Sequence, residues 1–233
     1  NLEIMVIDNS IDQDVQQQLI DIHDPRVNLI MDNSTRGGGF ARNRGIGEAT
    51  GEFLAIVDCD DFVSKDHIEI GVRALNKSGA DVYHCGYVNC YEDLQTKVAR
   101  IPPKKLNFLK LMTYNPIGHS TVIMRSKLRP VYTLEKTRHD LRLWIELFQR
   151  KKVFYSNQQI KVERNIVANS LSFSKLPLIV DHYRIYKAST SLSNLQISAL
   201  ILFLITRHIP LRLKLLILQF SKFLKKNIID TVT

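Results

Sequence analysis

Residues 37–61 read "GGGFARNRGIGEATGEFLAIVDCDD", and this stretch decides the fold. It holds six of the chain's ten glycines and predicts a glycine-opened helix over 38–50 and a buried strand over 51–58. Apolar runs predict further strands over 2–8, 26–32 and 80–91, with helices over 12–24 and 64–79 between them. Strands that alternate with helices predict an α/β fold with a mainly parallel central sheet covered on both faces.

Three carboxylates, Asp58, Asp60 and Asp61, directly follow the predicted strand. Ligands of open α/β sheets bind beyond the carboxyl ends of the strands, and clustered carboxylates become favourable when they hold a divalent cation. Oxygen ligands suit Mg²⁺ or Mn²⁺, and Asp58 and Asp60 share one face of an extended segment. The same acids would also serve to begin a turn or to cap the next helix, and the motif alone does not choose.

The glycines at the start of the predicted helix, including Gly38 and Gly39, allow backbone to approach a phosphate closely, and Arg42 adds positive charge. The spacing matches neither the dinucleotide fingerprint nor a P-loop. The alternative is a flexible loop with close helix–sheet packing.

A strongly amphipathic helix is predicted over 139–152, and Asp140 lies in its first turn. A carboxylate there would act either as a general base or as a helix cap. The segment "HSTVIMR" (119–125) fits either the lining of a substrate site or a core strand.

In this order, "VIDNS" (6–10), the stretch 37–61 and "HDLRLW" (139–144) resemble the inverting glycosyltransferase family 2 of GT-A fold. The family pattern reads V-D-D/N-x-S, then G-x-x-x-A-R-N-x-G through L-D-x-D-D, then E-D-x-x-L-W. The resemblance covers about residues 2–150. It implies a Rossmann-like GT-A sandwich with C-terminal amphipathic helices added to it.

The resemblance also implies roles for single residues. Asp8 and Asn9 match the acidic pair near the nucleotide base, with Asn9 in place of the commoner Asp. Arg42 matches the nucleotide-contacting arginine, and Asp58 and Asp60 match the D-x-D that holds the ribose and the metal–diphosphate.

The remaining matches concern the chemistry. Asp140 matches the proposed catalytic base, and His139 stands where the family usually has Glu. Asp61, Gly38, Gly39 and His139 are expected to support the site. The family's first strand, with its P-x-Y-N segment, has no match here, so we expect the GT-A domain to be N-terminally incomplete.

The resemblance implies a transferase that moves a sugar from a nucleotide-diphosphate donor, with UDP the expected nucleotide, to a hydroxyl acceptor with inversion. The acceptor would be a saccharide or a lipid-linked sugar of cell-surface polysaccharide or glycolipid biosynthesis, and Mn²⁺ or Mg²⁺ the cofactor. The alternative is an inactive fragment or a non-enzymatic module that binds nucleotide-sugars or other anions.

Composition adds a net charge of +9 and three cysteines that form no CxxC pair, which favours a reducing, cytoplasmic location. We divide the chain into a GT-A domain, 1–190, and a basic amphipathic helical tail, 191–233. Such a tail would suit an anionic membrane surface, so the protein would be peripheral on the inner face of the cell membrane. Nucleic acid is not an expected partner, because the basic residues lack aromatic interleaving.

Overall fold

A computed structural model describes residues 1–9, 13–32, 37–91, 95–134, 138–166 and 176–206. The strands are β1 (Ile4–Asp8), β2 (Val27–Met31), β3 (Phe53–Ala55), β4 (Asp61–Val63), β5 (Val82–Tyr91), β6 (Thr96–Arg100), β7 (Ile123–Arg125) and β8 (Phe154–Ile166). Strands and helices alternate through the first 91 residues as the sequence predicts, except that the short strand β4, which the sequence does not predict, follows β3 directly.

The helices lie mostly where apolar periodicity predicts them. They are α1 (Gln13–Ile20), α2 (Gly38–Glu48), α3 (His67–Ser78), α4 (Phe108–Tyr114), α5 (His139–Gln149), α6 (Leu176–Ser189) and α7 (194–206). Two 3-10 turns span His119–Thr121 and Ser126–Leu128, and the first of them lies at the site.

The described strands form two sheets. β1 and β2 pair in parallel as one sheet. The other sheet has the order β3-β7-β5-β8-β4, with β6 paired to β5. In the second sheet only the β5–β8 pair is parallel, and the pairs that involve β3, β4, β6 and β7 are antiparallel. The α/β class is therefore confirmed, but the sheet is mixed where alternation predicts a mainly parallel one.

The predicted strand over 51–58 is shorter in the structure. β3 ends at Ala55, and residues 56–58 leave the sheet before the acidic segment. The backbone N–H of Asp58 donates to the Ser120 hydroxyl at 3.0 Å instead of to a neighbouring strand. At Asp58 the hydroxyl of Ser120 thus accepts the backbone N–H that a neighbouring strand would otherwise bind.

The hydrophobic core lies around α5, whose buried residues Leu141, Trp144 and Ile145 follow helical spacing. α6 contributes Ile185 and Tyr186 to the same cluster, and α7 contributes Ile197, Ile201 and Leu204. Helix α7 thus packs into the core that also contains α5.

No helix among the described residues is both long and apolar enough to cross a membrane. The sequence predicts two basic amphipathic helices over 195–226, broken near Pro210, and the second of them lies outside the described residues. The division of the chain at residue 190 stays a proposal.

Candidate active site

The centre of the site is an ion pair between α2 and the segment after β3. Arg42 Nη2 lies 2.5 Å from Asp58 Oδ1, and both side chains are mostly buried. The 3-10 turn supplies His119, whose Nδ1 lies 3.1 Å from the same oxygen. Burial alone would favour the neutral carboxyl, but His119 and Arg42 outweigh it and hold the pKa of Asp58 well below its usual value.

The carboxylate of Asp61 lies on the other side of the same segment. Ser120 Oγ donates to Asp61 Oδ2 at 2.6 Å while it accepts the Asp58 N–H, so one hydroxyl joins both acids. Arg164, from β8, lies 3.4 Å from Asp61 Oδ2 and its guanidinium sits over the ring of Tyr87. Burial, partly offset by Ser120 and Arg164, raises the pKa of Asp61. Asp61 is therefore held by the protein and faces inward.

Asp60 differs from Asp58 and Asp61 because its side chain is exposed. Every hydrogen bond from the described residues to the Asp58 carboxylate ends on Oδ1, whereas Asp60 has none. Asp58 Oδ2 and Asp60 together offer hard oxygen ligands, which fit Mg²⁺ or Mn²⁺. Within the described ranges, no group of three or more His, Cys, Asp or Glu is arranged to hold a metal, so such an ion would need phosphate and water ligands as well.

The start of α5 brings His139 and Asp140 to the same place. Arg42 Nη1 donates to His139 Nε2 at 2.5 Å, so the guanidinium joins His139 to Asp58. Burial disfavours a charged Asp140, but nearby positive charge, chiefly at His119 and Arg138, outweighs it and holds the pKa of Asp140 below its usual value. The half-buried carboxylate is therefore ionised at neutral pH, the state that a general base needs, although the lowered pKa makes it a weaker base.

The two glycines at the start of α2 are needed for space. A Cβ on Gly38 would lie 2.6 Å from Arg42 Nη1, and a Cβ on Gly39 would lie 2.5 Å from the Thr133 carbonyl oxygen. Gly38 thus leaves room for the guanidinium, and Gly39 lets the loop 130–134 lie directly on α2. This is close packing at the helix start, one of the two interpretations that the sequence allows.

Asp8 is the last residue of β1, in the two-stranded sheet, and Asn9 directly follows it. Asp8 is 8% exposed, and Asn9 is half-buried. Glu3 ties this sheet to the turn before β3, because its carboxylate accepts the backbone N–H groups of Thr50 and Gly51 at 2.7 and 2.8 Å. The pair near the nucleotide base that the resemblance implies stays a prediction.

Sequence reasoning missed several residues of the site. His119, Ser120, Tyr132 and Arg164 all contact residues that the motifs identify. The only signal was the polar "HST" in front of an apolar run, which the sequence left open between a substrate site and a core strand. The structure divides that segment: residues 119–121 form the turn at the site, and 123–125 form β7.

Comparison with known proteins gives a family and a fold. A family model described as glycosyl transferase family 2 matches residues 1–131. A Haemophilus influenzae protein described as an uncharacterised glycosyltransferase is 26% identical over 193 residues, which is 80% of this chain and 76% of that protein. The Escherichia coli UDP-Glc:alpha-D-GlcNAc-diphosphoundecaprenol beta-1,3-glucosyltransferase WfgD is 24% identical over 156 residues, 66% of this chain and 60% of that enzyme.

Among solved structures, S. aureus TarS 1-349 in complex with UDP-GlcNAc has a TM-score of 0.63 and 16% identity, covering 88% of this chain and 63% of that one. This likeness shows the fold. The chain spans less than two thirds of both WfgD and the TarS fragment.

Proposed function

Because the chain belongs to glycosyl transferase family 2, we propose that it moves a sugar from a nucleotide-diphosphate donor to an acceptor hydroxyl, with inversion at the anomeric carbon. The observation that carries the proposal is the group formed by Arg42, Asp58 and Asp140. It places a fixed cation, an ionised carboxylate and a second half-buried carboxylate at one edge of the structure.

Asp140 is the residue that we assign to the proton transfer. The acceptor oxygen attacks the anomeric carbon, the bond from that carbon to the donor's phosphate oxygen breaks, and the acceptor proton passes to the Asp140 carboxylate. Because the pKa of Asp140 is held low, the carboxylate is ionised at neutral pH and ready for this role. General-base help of this kind contributes about 10²–10⁴-fold.

Arg42 and Asp58 are the residues that we assign to the donor. Asp58 would contact the ribose through Oδ2, to which no described residue donates, and the fixed charge of Arg42 would favour the diphosphate as it departs. Asp8 and Asn9, at the end of β1, are proposed to lie beside the base. A UDP-sugar is the proposed donor, because WfgD is named for UDP-Glc and the TarS fragment was solved with UDP-GlcNAc.

A divalent cation, Mn²⁺ or Mg²⁺, is part of this proposal. Asp60 would hold it, with Asp58 Oδ2 beside it, and the donor diphosphate would complete its ligands. When bound, the ion would stabilise the charge of the departing nucleoside diphosphate. Asp61 would support the pair from behind, through Ser120.

The acceptor is proposed to be a saccharide or a lipid-linked sugar in cell-surface polysaccharide or glycolipid biosynthesis. In support, the acceptor in WfgD's name is a diphosphoundecaprenol-linked sugar. We also propose a cytoplasmic protein that lies on the inner face of the cell membrane. On α7, Leu195 and Leu202 lie on one exposed helical face, at 81% and 63% exposure.

The test is Asp140→Asn in the full-length protein, with release of nucleoside diphosphate from UDP-, GDP- and dTDP-sugars as the assay. Transfer is expected to be lost while donor binding stays nearly intact. Glu146→Gln is the matched control, because Glu146 is exposed on the same helix and pairs with Arg150. An equal loss of donor binding in Asp140→Asn would show a structural role, and no donor binding by the wild type would favour the inactive fragment.

A further inference from the structure

A buried chain of hydrogen bonds leads away from Asp58 into the loop before α5. His119 Nδ1 lies 3.1 Å from Asp58 Oδ1, and His119 Nε2 lies 2.9 Å from the hydroxyl of Tyr132. His119 is 5% exposed and Tyr132 is 1% exposed. Polar groups so deeply buried need their partners, because an unpaired buried donor or acceptor keeps its full desolvation cost. The two side chains therefore fix each other's orientation.

The direction of these hydrogen bonds follows from the chemistry of their ends. The ionised carboxylate of Asp58 can only accept, so Nδ1 of His119 carries a hydrogen in either charge state of the ring. Nε2 then accepts from the Tyr132 O–H in the neutral ring, or donates to that oxygen in the charged one. In both cases Tyr132 holds the far edge of the imidazole and sets the line along which Nδ1–H points at Asp58.

The backbone of Tyr132 is held by the side chain of Asn43. The amide of Asn43 donates to the Tyr132 carbonyl and accepts the Tyr132 N–H, each at 2.7 Å. An amide side chain thus pairs with one residue of the loop as a neighbouring strand would. Asn43 follows Arg42 on α2, so the same helical turn that contacts Asp58 directly also holds the loop that reaches Asp58 through His119.

We propose that Asn43, Tyr132 and His119 are positioning residues that orient the Asp58 carboxylate, so that docking of the loop 130–134 on α2 prepares the donor site. The proposal rests on the proposed function only for the identity of the ligand. Loop 130–134 leads towards the start of α5, where Asp140 lies. The placement of this loop would therefore affect both the orientation of Asp58 in the donor site and the position of Asp140, the proposed base.

The first test is Tyr132→Phe in the full-length protein, which removes one oxygen atom and keeps the ring. We expect about tenfold weaker binding of UDP, measured by the fluorescence of Trp144. Trp144 is the only tryptophan, and its ring centre is 6.4 Å from that of His119. Tyr155→Phe, on β8, is the control and should bind UDP as the wild type does. A lower melting temperature with unchanged UDP binding would overturn the proposal.

Rescue provides the second test. His119→Ala should weaken UDP binding, and His119→Asn should restore part of it, because the Asn amide nitrogen stands near the place of Nδ1 and can donate to Asp58. Equal binding by both variants would contradict a positioning role.

The third test does not depend on any ligand. The ¹⁵N shifts of the His119 ring should show hydrogen on Nδ1, and the Tyr132→Phe and Asn43→Ala variants should disturb this signature. A ring with hydrogen on Nε2 alone would overturn the chain of bonds. Failure of the wild type to bind or use any nucleotide-sugar, with the Nδ1–H signature intact, would instead contradict the proposed function.

Discussion

The guanidinium of Arg42 donates to the imidazole of His139 over 2.5 Å, although histidine is normally a poor partner for a cation. The contact requires that Nε2 of His139 carry no hydrogen, so the ring is neutral here. In the pattern that the sequence resembles, a glutamate takes this place and would add a negative charge. In this chain Asp58 is therefore the only carboxylate that the described structure pairs with Arg42.

Replacing His139 tests whether this acceptor matters. His139→Leu leaves Nη1 of Arg42 without its partner in a mostly buried place, so kcat/KM for the donor should fall by about tenfold. His139→Gln, which can present an oxygen where Nε2 lies, should stay within about threefold of the wild type. Steady-state kinetics over donor concentration measure both, and equal values for Leu and wild type would show that the contact is incidental.

A lysine at position 42 should not replace the guanidinium group of Arg42 in donor binding. Arg42 contacts Asp58 and His139 with two different nitrogens, whereas the single ammonium of lysine can reach only one of them. Arg42→Lys should raise the donor dissociation constant by about 10- to 100-fold. Arg44→Lys is the matched control on the same helix, because Arg44 pairs with the exposed Glu48. Similar donor binding by the two variants would mean that charge alone suffices at position 42.

Metal dependence should act through Asp60. Chelation with EDTA should stop transfer, and added Mn²⁺ or Mg²⁺ should restore it. Asp60→Asn should require at least tenfold more metal for half-maximal activity, since it replaces a charged oxygen ligand by a neutral one. Asp66→Asn serves as a control, because Asp66 is engaged by Lys161 and Ser64 away from the site. Full activity in EDTA would contradict the metal in the proposed function.

The stability of the folded protein should decrease as the pH falls, because two histidines are buried in the core. Burial lowers the pKa of His67 to about 4 and of His84 to about 3, and both are fully buried. Above about pH 7.5 both rings are almost entirely neutral in the folded and unfolded chains, so they have almost no effect. As the pH falls, only the unfolded chain takes up these protons, and each histidine should cost about 2 kcal/mol at pH 5.

The free energy of unfolding in denaturant, measured at pH 7.5 and pH 5, checks this expectation. His84→Gln should reduce the difference between the two pH values by about 2 kcal/mol. His23→Gln, at an exposed position, should leave the difference unchanged. The same pH dependence in His84→Gln and wild type would place its origin elsewhere.

Membrane association can be tested by substitutions on α7 instead of by removing that helix. Truncation before α7 would also remove Ile197, Ile201 and Leu204 from the core, so it would confuse unfolding with release. The double substitution Leu202→Glu and Phe203→Glu changes only exposed positions. It should lower flotation with anionic vesicles severalfold, whereas Leu109→Glu, an exposed change on α4, should not. No binding of the wild type would contradict this part of the proposal.

The sequence predicts those elements whose signal is local. α5 is predicted because Leu141, Trp144 and Ile145 repeat with helical spacing, and β5 because it is a long apolar run between turns. The mixed sheet is not predictable in this way. β4 and β7 contain only three residues each, and the direction of a strand depends on connections that periodicity does not report.

The residues of the candidate site show the same difference between local and long-range signals. The motif around Asp58 and the acid at the start of α5 make these two residues candidates, and the family resemblance supplies their proposed roles. His119 contacts a residue 61 positions away, and Tyr132 is held by a residue 89 positions away. Such contacts arise only when distant segments pack, so neither residue stands out in the sequence.

The two oxygens of Asp58 have unequal tasks. Arg42 and His119 both hold Oδ1, so the carboxylate cannot turn over without breaking two charge-assisted contacts at once. The carboxylate is therefore held in one orientation, with Oδ1 bound by the protein, and does not rotate as an exposed side chain would. A ligand that approaches Asp58 therefore meets a carboxylate whose orientation is set by the described protein before any donor arrives.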